Sequence, residues 1–374
     1  MKRKILLAGN SELVVFKFRR ELIERLIQEE FDVYASFPIT EFGNGADTAK
    51  ELHCTFIETP MAGHGTNPLE DFRLIGQYKR ILKTVNPDVL LTYTIKPNIY
   101  ASLAAKSCHV PSIINISGLG VALERPGPLR YITTSMYRLS TRANQRVFFQ
   151  NKENEAFFAS RHIADGKRDI LPGSGVNLKM FPLLPYPTGN DIHFLFMARI
   201  RKEKGIDQYL DAAKVIHAKY PNTVFHVLGV CEDERYNPIL RELTAQGIIK
   251  YEGHQRDVRP FQKISSCTVH PTYYPEGLSN VLLESAASGR PIITTDRSGC
   301  REIIKDNLNG FICKQKDSAD LIKQIEKFIV LSWEERRNMG LAGHRKIATE
   351  FNRDKVIQKY MDEIVQVEKT CKHE

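Results

Sequence analysis

The 374-residue sequence lacks the features that mark several broad classes of protein. It has no apolar run near the roughly 20 residues that a membrane-spanning helix requires. The short apolar stretch after the first four residues gives way at once to polar residues, so we interpret it as a strand rather than a signal peptide. The 7 cysteines are scattered, and none forms a C-x-x-C pair. This argues against a disulfide framework or a zinc site and favours the cytoplasm.

Acidic metal-binding motifs are also missing. No Asp-x-Asp pair occurs, and we interpret the acidic run at residues 232–234 as a solvated loop. We therefore expect neither a bound metal nor a cofactor. At 42% hydrophobic and 26% charged residues, the composition is ordinary for a folded protein and excludes global disorder.

The formal net charge is +9, and part of that surplus is concentrated in one segment. Residues 125–152 contain basic but no acidic side chains, and Arg130, Arg138 and Arg142 are interleaved there with aromatic and aliphatic residues. This pattern is typical of a helix that lies on an anionic membrane surface. The alternative is an ordinary helix whose arginine stems cover apolar surface. No nucleic-acid recognition motif accompanies the segment, so we do not expect nucleic acid as a partner.

Short apolar runs alternate with helical patterns along the chain, which predicts an α/β protein with parallel sheets. A proline-rich run at residues 182–189 is the best candidate for a linker. We predict two doubly wound, Rossmann-like domains, at residues 1–185 and 190–350, that face a central cleft. Residues 351–374 form an amphipathic pattern, and we expect this helix to pack back on the first domain. Ligands of such sheets bind at the carboxyl ends of the strands.

The strongest candidate for a functional site is the segment at residues 275–284. Glu276 precedes a predicted helix and Glu284 follows eight residues later, about two turns on, so both carboxylates approach one side of a ligand at the helix start. Free amides at a helix N-terminus also bind anions. Here those amides belong to Gly277, Leu278, Ser279 and Asn280. The alternative is a glutamate that only favours the helix dipole, with Glu284 on a solvated face.

A second candidate lies directly after a predicted strand at residues 192–198. Arg199 leaves the strand end and Lys204 opens the next helix, so both cations point to the predicted ligand edge. A guanidinium fork and an ammonium point charge together suit a diphosphate. The alternative is a solvated basic loop.

Together these residues give the second half of the chain a family resemblance. Over residues 190–350 it resembles the retaining nucleotide-sugar glycosyltransferases of family 4, which have the GT-B fold, and the motifs follow one another in family order. The resemblance implies that Glu276, Arg199 and Lys204 are catalytic and that Glu284 binds the donor's ribose. It also implies that residues 277–280 hold the donor sugar and phosphate. Two further residues, in a loop that lines the base pocket of the family, match as well: Gly253 and His254.

The first half is similar, more loosely, to family members that build capsule, O-antigen or bacterial N-glycan precursors on polyprenyl diphosphates. The shared residues, which the resemblance assigns to acceptor binding, are Lys96, Asn98, Ser117, Gly118 and Gly120. For the glycines the alternative is a tight turn, and for the lysine a surface position. Many family members place a histidine where this chain has Ser117, so no catalytic histidine is assigned. We interpret His270 as packed or hydrogen-bonded rather than as a base.

The resemblance therefore implies a retaining, metal-independent hexosyltransferase. The donor would be a UDP-sugar, with an N-acetylhexosamine or uronic-acid derivative as the sugar, and the acceptor a polyprenyl-diphosphate-linked sugar. We expect the protein in the cytoplasm, peripheral on the inner face of the plasma membrane. A UDP-sugar epimerase of the same architecture and a catalytically silent sugar-nucleotide-binding protein are the alternatives. A new glycosidic product would exclude both.

Overall fold

A computed structural model describes residues 2–39, 45–61 and 67–371. The chain divides into two compact units, one comprising Met1–Ser174 with Asp354–Glu374 and the other Gly175–Arg353. Each unit is built on a parallel β-sheet, as the alternation of apolar runs and helical patterns predicts.

In the described part of the first unit the sheet has seven strands, in the order β3-β2-β1-β4-β5-β6-β7. The strands are β1 (Lys4–Ala8), β2 (Asp32–Phe37), β3 (Thr55–Glu58), β4 (Val89–Tyr93), β5 (Ser112–Ile116), β6 (Arg146–Phe149) and β7 (Arg168–Ile170). The helices between them are α1 (Arg20–Gln28), α2 (Gly45–Glu51), α3 (Pro68–Val85), α4 (Ser102–Ser107), α5 (Gly120–Glu124), α6 (Pro128–Ser140) and α7 (Lys152–Ala159). Strands β4 and β5 are buried throughout, because helices cover both faces of the sheet.

The second unit has a six-stranded sheet, in the order β10-β9-β8-β11-β12-β13. Its strands are β8 (Ile192–Met197), β9 (Thr223–Leu228), β10 (Ile249–Gly253), β11 (Cys267–His270), β12 (Ile292–Thr295) and β13 (Gly310–Cys313). Its helices are α8 (Ile206–Lys219), α9 (Tyr236–Ala245), α10 (Arg259–Ile264), α11 (Asn280–Ala287), α12 (Ser318–Ile329) and α13 (Trp333–Glu350).

The C-terminal helix, α14 (Arg353–Cys371), returns to the first unit. Its apolar stripe, Val356, Tyr360, Ile364 and Val367, is buried in one core with residues of β1 and β4. The Tyr360 hydroxyl accepts a hydrogen bond from Asn115 Nδ2 at 2.7 Å. The predicted crossing of the C-terminal helix back to the first domain is confirmed.

The units divide earlier in the chain than the proline-rich run, where we placed the boundary. The division lies between Ser174 and Gly175. The run itself belongs to the second unit, because the hydroxyl of Tyr186 within it donates to the Ser266 carbonyl at 2.9 Å. Val176 and Phe181, just before the run, are likewise buried in one cluster with residues of α11. The prolines therefore mark an extended segment of the second unit, and they do not mark the boundary between the two units.

Candidate active site

The two strongest sequence motifs follow strands that are neighbours in the second sheet. Strands β8 and β11 pair in parallel, and the strand order reverses between them. The loop after β8 carries Arg199 and Lys204, and the loop after β11 carries Glu276. Crevices at such a reversal are where open α/β sheets bind ligands. The sheet topology thus brings together residues that are far apart in sequence.

Backbone contacts hold these two loops against each other. The Glu203 carbonyl accepts hydrogen bonds from the Tyr273 amide at 3.0 Å and from the Thr272 hydroxyl at 3.2 Å. Gly205 has φ +79°, and a Cβ at this position would lie 2.1 Å from the Pro271 carbonyl oxygen. Only glycine fits there, because both the left-handed conformation and the close approach exclude a side chain. The position of Lys204 is therefore fixed by the backbone on either side.

Lys204 and Glu276 form an ion pair at this edge of the sheet. Lys204 is 8% exposed, and its ammonium lies 4.7 Å from the centre of the Tyr274 ring. Burial of the Glu276 carboxyl acts to raise its pKa, but Lys204 more than offsets this, with a smaller contribution from Arg199. The pKa of Glu276 therefore lies below its ordinary value. A diphosphate and a sugar hydroxyl would find a cation and a carboxylate already in place.

Arg199 is the exposed cation of the site. Its side chain is 48% exposed, and Nη1 donates to Glu232 Oε1 at 3.0 Å. Arg201 also approaches Glu232, with 3.7 Å between its Nη1 and Oε2. The acidic run at residues 232–234, which we interpreted as a solvated loop, thus supplies a counter-ion to the basic loop. An exposed ion pair of this kind is weak enough for a phosphate to displace.

The turn before α11 differs in detail from the predicted anion site. The Ser279 amide donates to the Gly299 carbonyl at 2.9 Å, so it is not available to a phosphate, and the Leu278 side chain is buried in the core. The Leu278 amide donates to no residue that the structure describes. Asn280 begins α11, and Glu284 lies half-buried one turn further on. In this structure the Ser279 amide is thus used within the turn, and the role of residues 277–280 in donor binding stays a prediction.

Gly299 and Glu302 shape this turn, and the sequence motifs gave them no role. The Gly299 amide donates to Glu302 Oε2 at 2.6 Å. A Cβ on Gly299, at φ +89°, would lie 2.8 Å from the Gly277 carbonyl oxygen. Both residues follow β12 at the carboxyl edge of the sheet, and that position is the signal that could have marked them. Through the contacts of Gly299 with Gly277 and Ser279 they shape the turn that carries Glu276.

Gly253 and His254 lie at the carboxyl end of β10, next to β9. The Gly253 carbonyl accepts a hydrogen bond from the Gly229 amide at 2.8 Å, and no atom lies within 4 Å of a Cβ placed on Gly253. His254 is exposed. The two residues therefore stand open at the same edge of the sheet as Lys204, as a base-binding role requires.

His270 is packed rather than hydrogen-bonded. It is 1% exposed at the end of β11, and neither ring nitrogen has a hydrogen-bond partner. Burial, together with the nearby Lys204, lowers its pKa to about 3, although Glu276 acts in the opposite direction. The ring is therefore neutral at physiological pH and does not add a charge to the site.

In the first unit, the residues predicted to bind an acceptor fall into two groups. Lys96 forms an ion pair with Asp71, with 3.5 Å between Nζ and Oδ1. Asn98 is fully used internally, since Oδ1 accepts from the Thr92 hydroxyl at 2.8 Å and Nδ2 donates to the Asn115 carbonyl at 2.9 Å. At 1% exposed, Asn98 links β4 to β5 and lies out of reach of an acceptor. Its assignment to acceptor binding is therefore not supported by its geometry.

Ser117, Gly118 and Gly120 lie half-buried between β5 and α5, at the carboxyl edge of the first sheet. Gly118 has φ +152° and Gly120 φ +63°, so both positions favour glycine, as the tight-turn alternative requires. The turn also leaves these residues where a ligand of the sheet would lie.

Helix α6 carries the basic segment of the first unit. Arg138 and Arg142 are exposed, whereas Arg130 is half-buried with its guanidinium 4.9 Å from the centre of the Phe157 ring. Large apolar side chains share the exposed surface of this segment: Leu129, Tyr131, Ile132 and Leu139. Tyr131 is 76% exposed. Among the described residues no helix is long and apolar enough to cross a membrane, and no group of acidic, histidine or cysteine residues could hold a metal ion.

Comparison with known families gives this arrangement a context. Residues 187–346 match the family of glycosyl transferases group 1, and residues 4–151 match the glycosyl transferase 4-like family. The chain belongs to these glycosyltransferases. The two matches follow the two compact units and together span most of the sequence, so the family resemblance seen in the motifs is confirmed.

Two relatives align with this glycosyltransferase along most of its length. One is the N,N'-diacetylbacillosaminyl-diphospho-undecaprenol alpha-1,3-N-acetylgalactosaminyltransferase of Campylobacter jejuni, 24% identical over 93% of this chain and 94% of the relative. The other is the UDP-Gal:alpha-D-GlcNAc-diphosphoundecaprenol alpha-1,3-galactosyltransferase of Escherichia coli, 21% identical over 91% of this chain and 92% of the relative.

Solved structures show the same fold. Anabaena HepE in complex with UDP and glucose has a TM-score of 0.80 at 13% identity, covering 97% of this chain and 100% of that chain. A glycosyltransferase from Rickettsia africae has a TM-score of 0.79 at 17% identity, covering 98% of each chain. The predicted GT-B fold of this glycosyltransferase is therefore confirmed.

The charges at Lys204 and Glu276 predict how the activity of this glycosyltransferase depends on pH. Because the pKa of Glu276 is lowered, its carboxylate stays ionised as pH falls through the ordinary glutamate range. The stability that it contributes is full above that range and is lost progressively as pH falls from there through the lowered pKa. The rate of donor hydrolysis should therefore fall only below about pH 4.3. In Lys204→Ala the ammonium that opposes burial is gone, so the pKa of Glu276 should rise. The pH below which the remaining hydrolysis rate falls should therefore be higher than in the wild type. A wild-type acid limb near pH 6.5 would contradict this account.

Proposed function

We propose that this glycosyltransferase moves a hexose from a UDP-sugar to a polyprenyl-diphosphate-linked sugar, with retention of the anomeric configuration. The sugar moved would be an N-acetylhexosamine or a uronic-acid derivative, and the product a precursor of a capsule, an O-antigen or another glycan. The observation that carries the proposal is the Lys204–Glu276 pair at the strand reversal of the second sheet. Two relatives that span the chain are named for transfer to undecaprenyl-diphosphate-linked sugars.

In this proposal the second unit binds the donor. Lys204 and Arg199 neutralise the diphosphate as UDP leaves, with the Leu278 amide as a further donor, and Glu276 orients the sugar ring. Glu284 binds the ribose, and Gly253 and His254 line the base pocket. Fixed charges that meet the charge developing on a leaving group are the largest single source of catalysis in many enzymes. The two cations supply the positive charge, so we propose that the reaction needs no metal ion.

Retention would follow if the departing phosphate itself accepts the proton of the attacking acceptor hydroxyl. The bond from the anomeric carbon to the UDP oxygen breaks, the bond to the acceptor oxygen forms on the same face, and the proton moves to the β-phosphate. Lys204 would hold that phosphate in place. Glu276 pairs with Lys204 and is kept ionised, so we assign it an orienting role rather than that of an acid.

The first unit would bind the acceptor, with Ser117, Gly118 and Gly120 at the carboxyl edge of its sheet. Lys96 would contribute only after release from Asp71. No relative reported above is an epimerase, and an epimerase has no need of an acceptor site.

We further propose that the enzyme lies on the inner face of the plasma membrane through α6. Charge reversal at Arg138 and Arg142 should weaken binding to vesicles that contain anionic lipid, and raising the salt concentration should weaken binding of the wild type. Hydrolysis of a soluble donor should be unchanged. Vesicle sedimentation at low and high salt measures the first two effects.

The matched control for this membrane prediction reverses two exposed charges of the second unit, Lys214 on α8 and Arg241 on α9. It changes the net charge by the same amount. If both double variants lose vesicle binding equally, net charge rather than α6 determines membrane binding.

A panel of nucleotide sugars, screened by thermal shift and followed by transfer to polyprenyl-diphosphate-linked sugars, tests the proposed function. We expect UDP-sugars to raise the melting temperature, a chelator to leave transfer intact, and the product to keep the donor's anomeric configuration by NMR. Inversion of that configuration, or a requirement for added metal, would refute the corresponding part of the proposal.

A further inference from the structure

Arg19, in the first unit, is a buried cation without a counter-ion. It is 5% exposed, and it forms no ion pair with any carboxylate that the structure describes. Its Nε has no hydrogen-bond partner, and Nη1 makes one long bond, 3.4 Å, to the carbonyl of its neighbour Phe18. A buried charge that is neither paired nor solvated is costly, so its presence calls for a compensating role.

Two other arginines show how this chain satisfies a guanidinium when the role is structural. Arg290 is fully buried, and its Nε donates to the Gln262 carbonyl at 2.7 Å and its Nη2 to the Pro185 carbonyl at 2.8 Å. Arg20, next to Arg19, pairs with Glu24 at 3.0 Å and with Glu51 at 2.6 Å. Arg19 has no carboxylate partner, and its only carbonyl partner is the long contact to Phe18, although Arg20 carries the same guanidinium one residue away.

The position of Arg19 is the one where the first sheet would bind a ligand. The strand order of this sheet reverses between β1 and β4. Arg19 lies in the connection after β1, and Tyr93 is the last residue of β4. The Arg19 guanidinium lies 4.3 Å from the centre of the Tyr93 ring. This is the same relation to the strand reversal that Lys204 and Glu276 have in the second sheet.

The groups beside Arg19 can donate hydrogen bonds but carry no negative charge. The Tyr93 hydroxyl is buried near the Arg19 guanidinium and the Tyr360 hydroxyl, but it forms a hydrogen bond of good geometry with no residue that the structure describes. Burial raises the pKa of Tyr93 and of Tyr360, so both stay neutral phenols at physiological pH and cannot balance the guanidinium. Among the acidic groups in the connections at this edge of the sheet, Glu12 accepts from the Thr48 hydroxyl and Asp71 pairs with Lys96.

We propose that Arg19, with the Tyr93 hydroxyl, binds a phosphate of the acceptor's diphosphate. A phosphate oxygen supplies the negative charge that the guanidinium lacks and accepts a hydrogen bond from that hydroxyl. The inference rests on the proposed function, since it assigns the acceptor's diphosphate to the first unit. It also changes the predicted acceptor site, because Arg19 rather than Lys96 becomes its principal cation.

Binding of farnesyl diphosphate by calorimetry, with UDP held at saturation to occupy the donor site, tests this assignment. Arg19→Gln should weaken binding about 10–100-fold, the loss expected for one charge-assisted hydrogen-bonding group. Tyr93→Phe, which keeps the ring and removes the hydroxyl, should weaken it several-fold. The matched control, Arg20→Gln, should bind within about twofold of wild type, because its partners are carboxylates on the protein surface.

The ligand series separates the two sources of a diphosphate. Wild-type protein should bind farnesyl diphosphate more tightly than inorganic pyrophosphate and should not bind farnesol. Equal binding of inorganic pyrophosphate would overturn the lipid-linked assignment. The whole inference fails if wild type does not bind farnesyl diphosphate, if Arg19→Gln binds it as wild type does, or if Arg20→Gln loses binding equally.

Thermal stability separates ligand binding from a structural role. Removing an uncompensated buried charge should leave the melting temperature of Arg19→Gln equal to wild type or higher. A lowered melting temperature with unchanged farnesyl diphosphate binding would instead make Arg19 structural. The proposed function is judged separately: it fails if wild type forms no glycosidic product, whatever Arg19 binds.

Discussion

Lys204→Ala should reduce both donor hydrolysis and sugar transfer by about 10²–10³-fold, the range measured when one preorganised charge donor is removed from an active site. The substitution removes the buried cation that pairs with Glu276 at the strand reversal of the second sheet. The effect should fall mainly on kcat, because the charge on the leaving diphosphate grows as the glycosidic bond breaks. Steady-state kinetics with the UDP-sugar found by the nucleotide panel measures it.

Lys202 provides the matched control for Lys204. It lies two residues away in the same short helical turn, Lys202–Lys204, but it is exposed. Lys202→Ala should therefore retain most of the activity. If the two variants lose activity equally, general positive charge in the loop is responsible, and the site assignment for Lys204 is wrong.

Gly205→Ala should destabilise the second unit by about 3 kcal/mol and abolish most activity. The added Cβ would meet the Pro271 carbonyl oxygen at 2.1 Å in a left-handed backbone conformation, so the loops after β8 and β11 must separate. Lys204 and Glu276 would then lose their common position. Urea denaturation and donor hydrolysis, measured on the same preparation, report the two effects.

Gly247 separates steric conflict from backbone strain. It has a similar φ of +74°, but no atom lies within 4 Å of a Cβ placed on it. Gly247→Ala should therefore cost only the conformational penalty, about 1 kcal/mol, and leave hydrolysis unchanged. Equal losses in free energy of unfolding for the two variants would show that the contact with Pro271 does not hold the loops together.

Strands with a strong apolar pattern were predictable, and the two edge strands of the first sheet were not. The fully buried β4 and β5 stand out in the sequence as apolar runs, which predict strands at residues 88–94 and 112–117, and the structure places both strands within a residue of those bounds. The short edge strands β3 and β7 are only partly buried, so they carry no apolar run to detect. In the first sheet, burial on both faces is what makes these strands visible in the sequence.

Some features of the site could likewise be predicted from local sequence patterns, whereas others depend on tertiary contacts. Lys204 and Glu276 could each be placed at a strand end from the sequence, but their pairing depends on β8 and β11 being neighbours. The hydrogen bond from the Ser279 amide to the Gly299 carbonyl could not be predicted, because the two residues are distant in sequence. Arg19 could not be distinguished from Arg20, because only the fold determines which of the two finds a carboxylate.

Mass spectrometry of the acceptor lipid tests the central claim most directly. After incubation with a polyprenyl-diphosphate-linked sugar and the UDP-sugar that stabilises the enzyme, the acceptor mass should increase by one sugar residue and UDP should be released in equal amount. In Lys204→Ala the same product should form about 10²–10³-fold more slowly. Conversion of the UDP-sugar to its epimer, or release of UDP with an unchanged acceptor mass, would contradict the account.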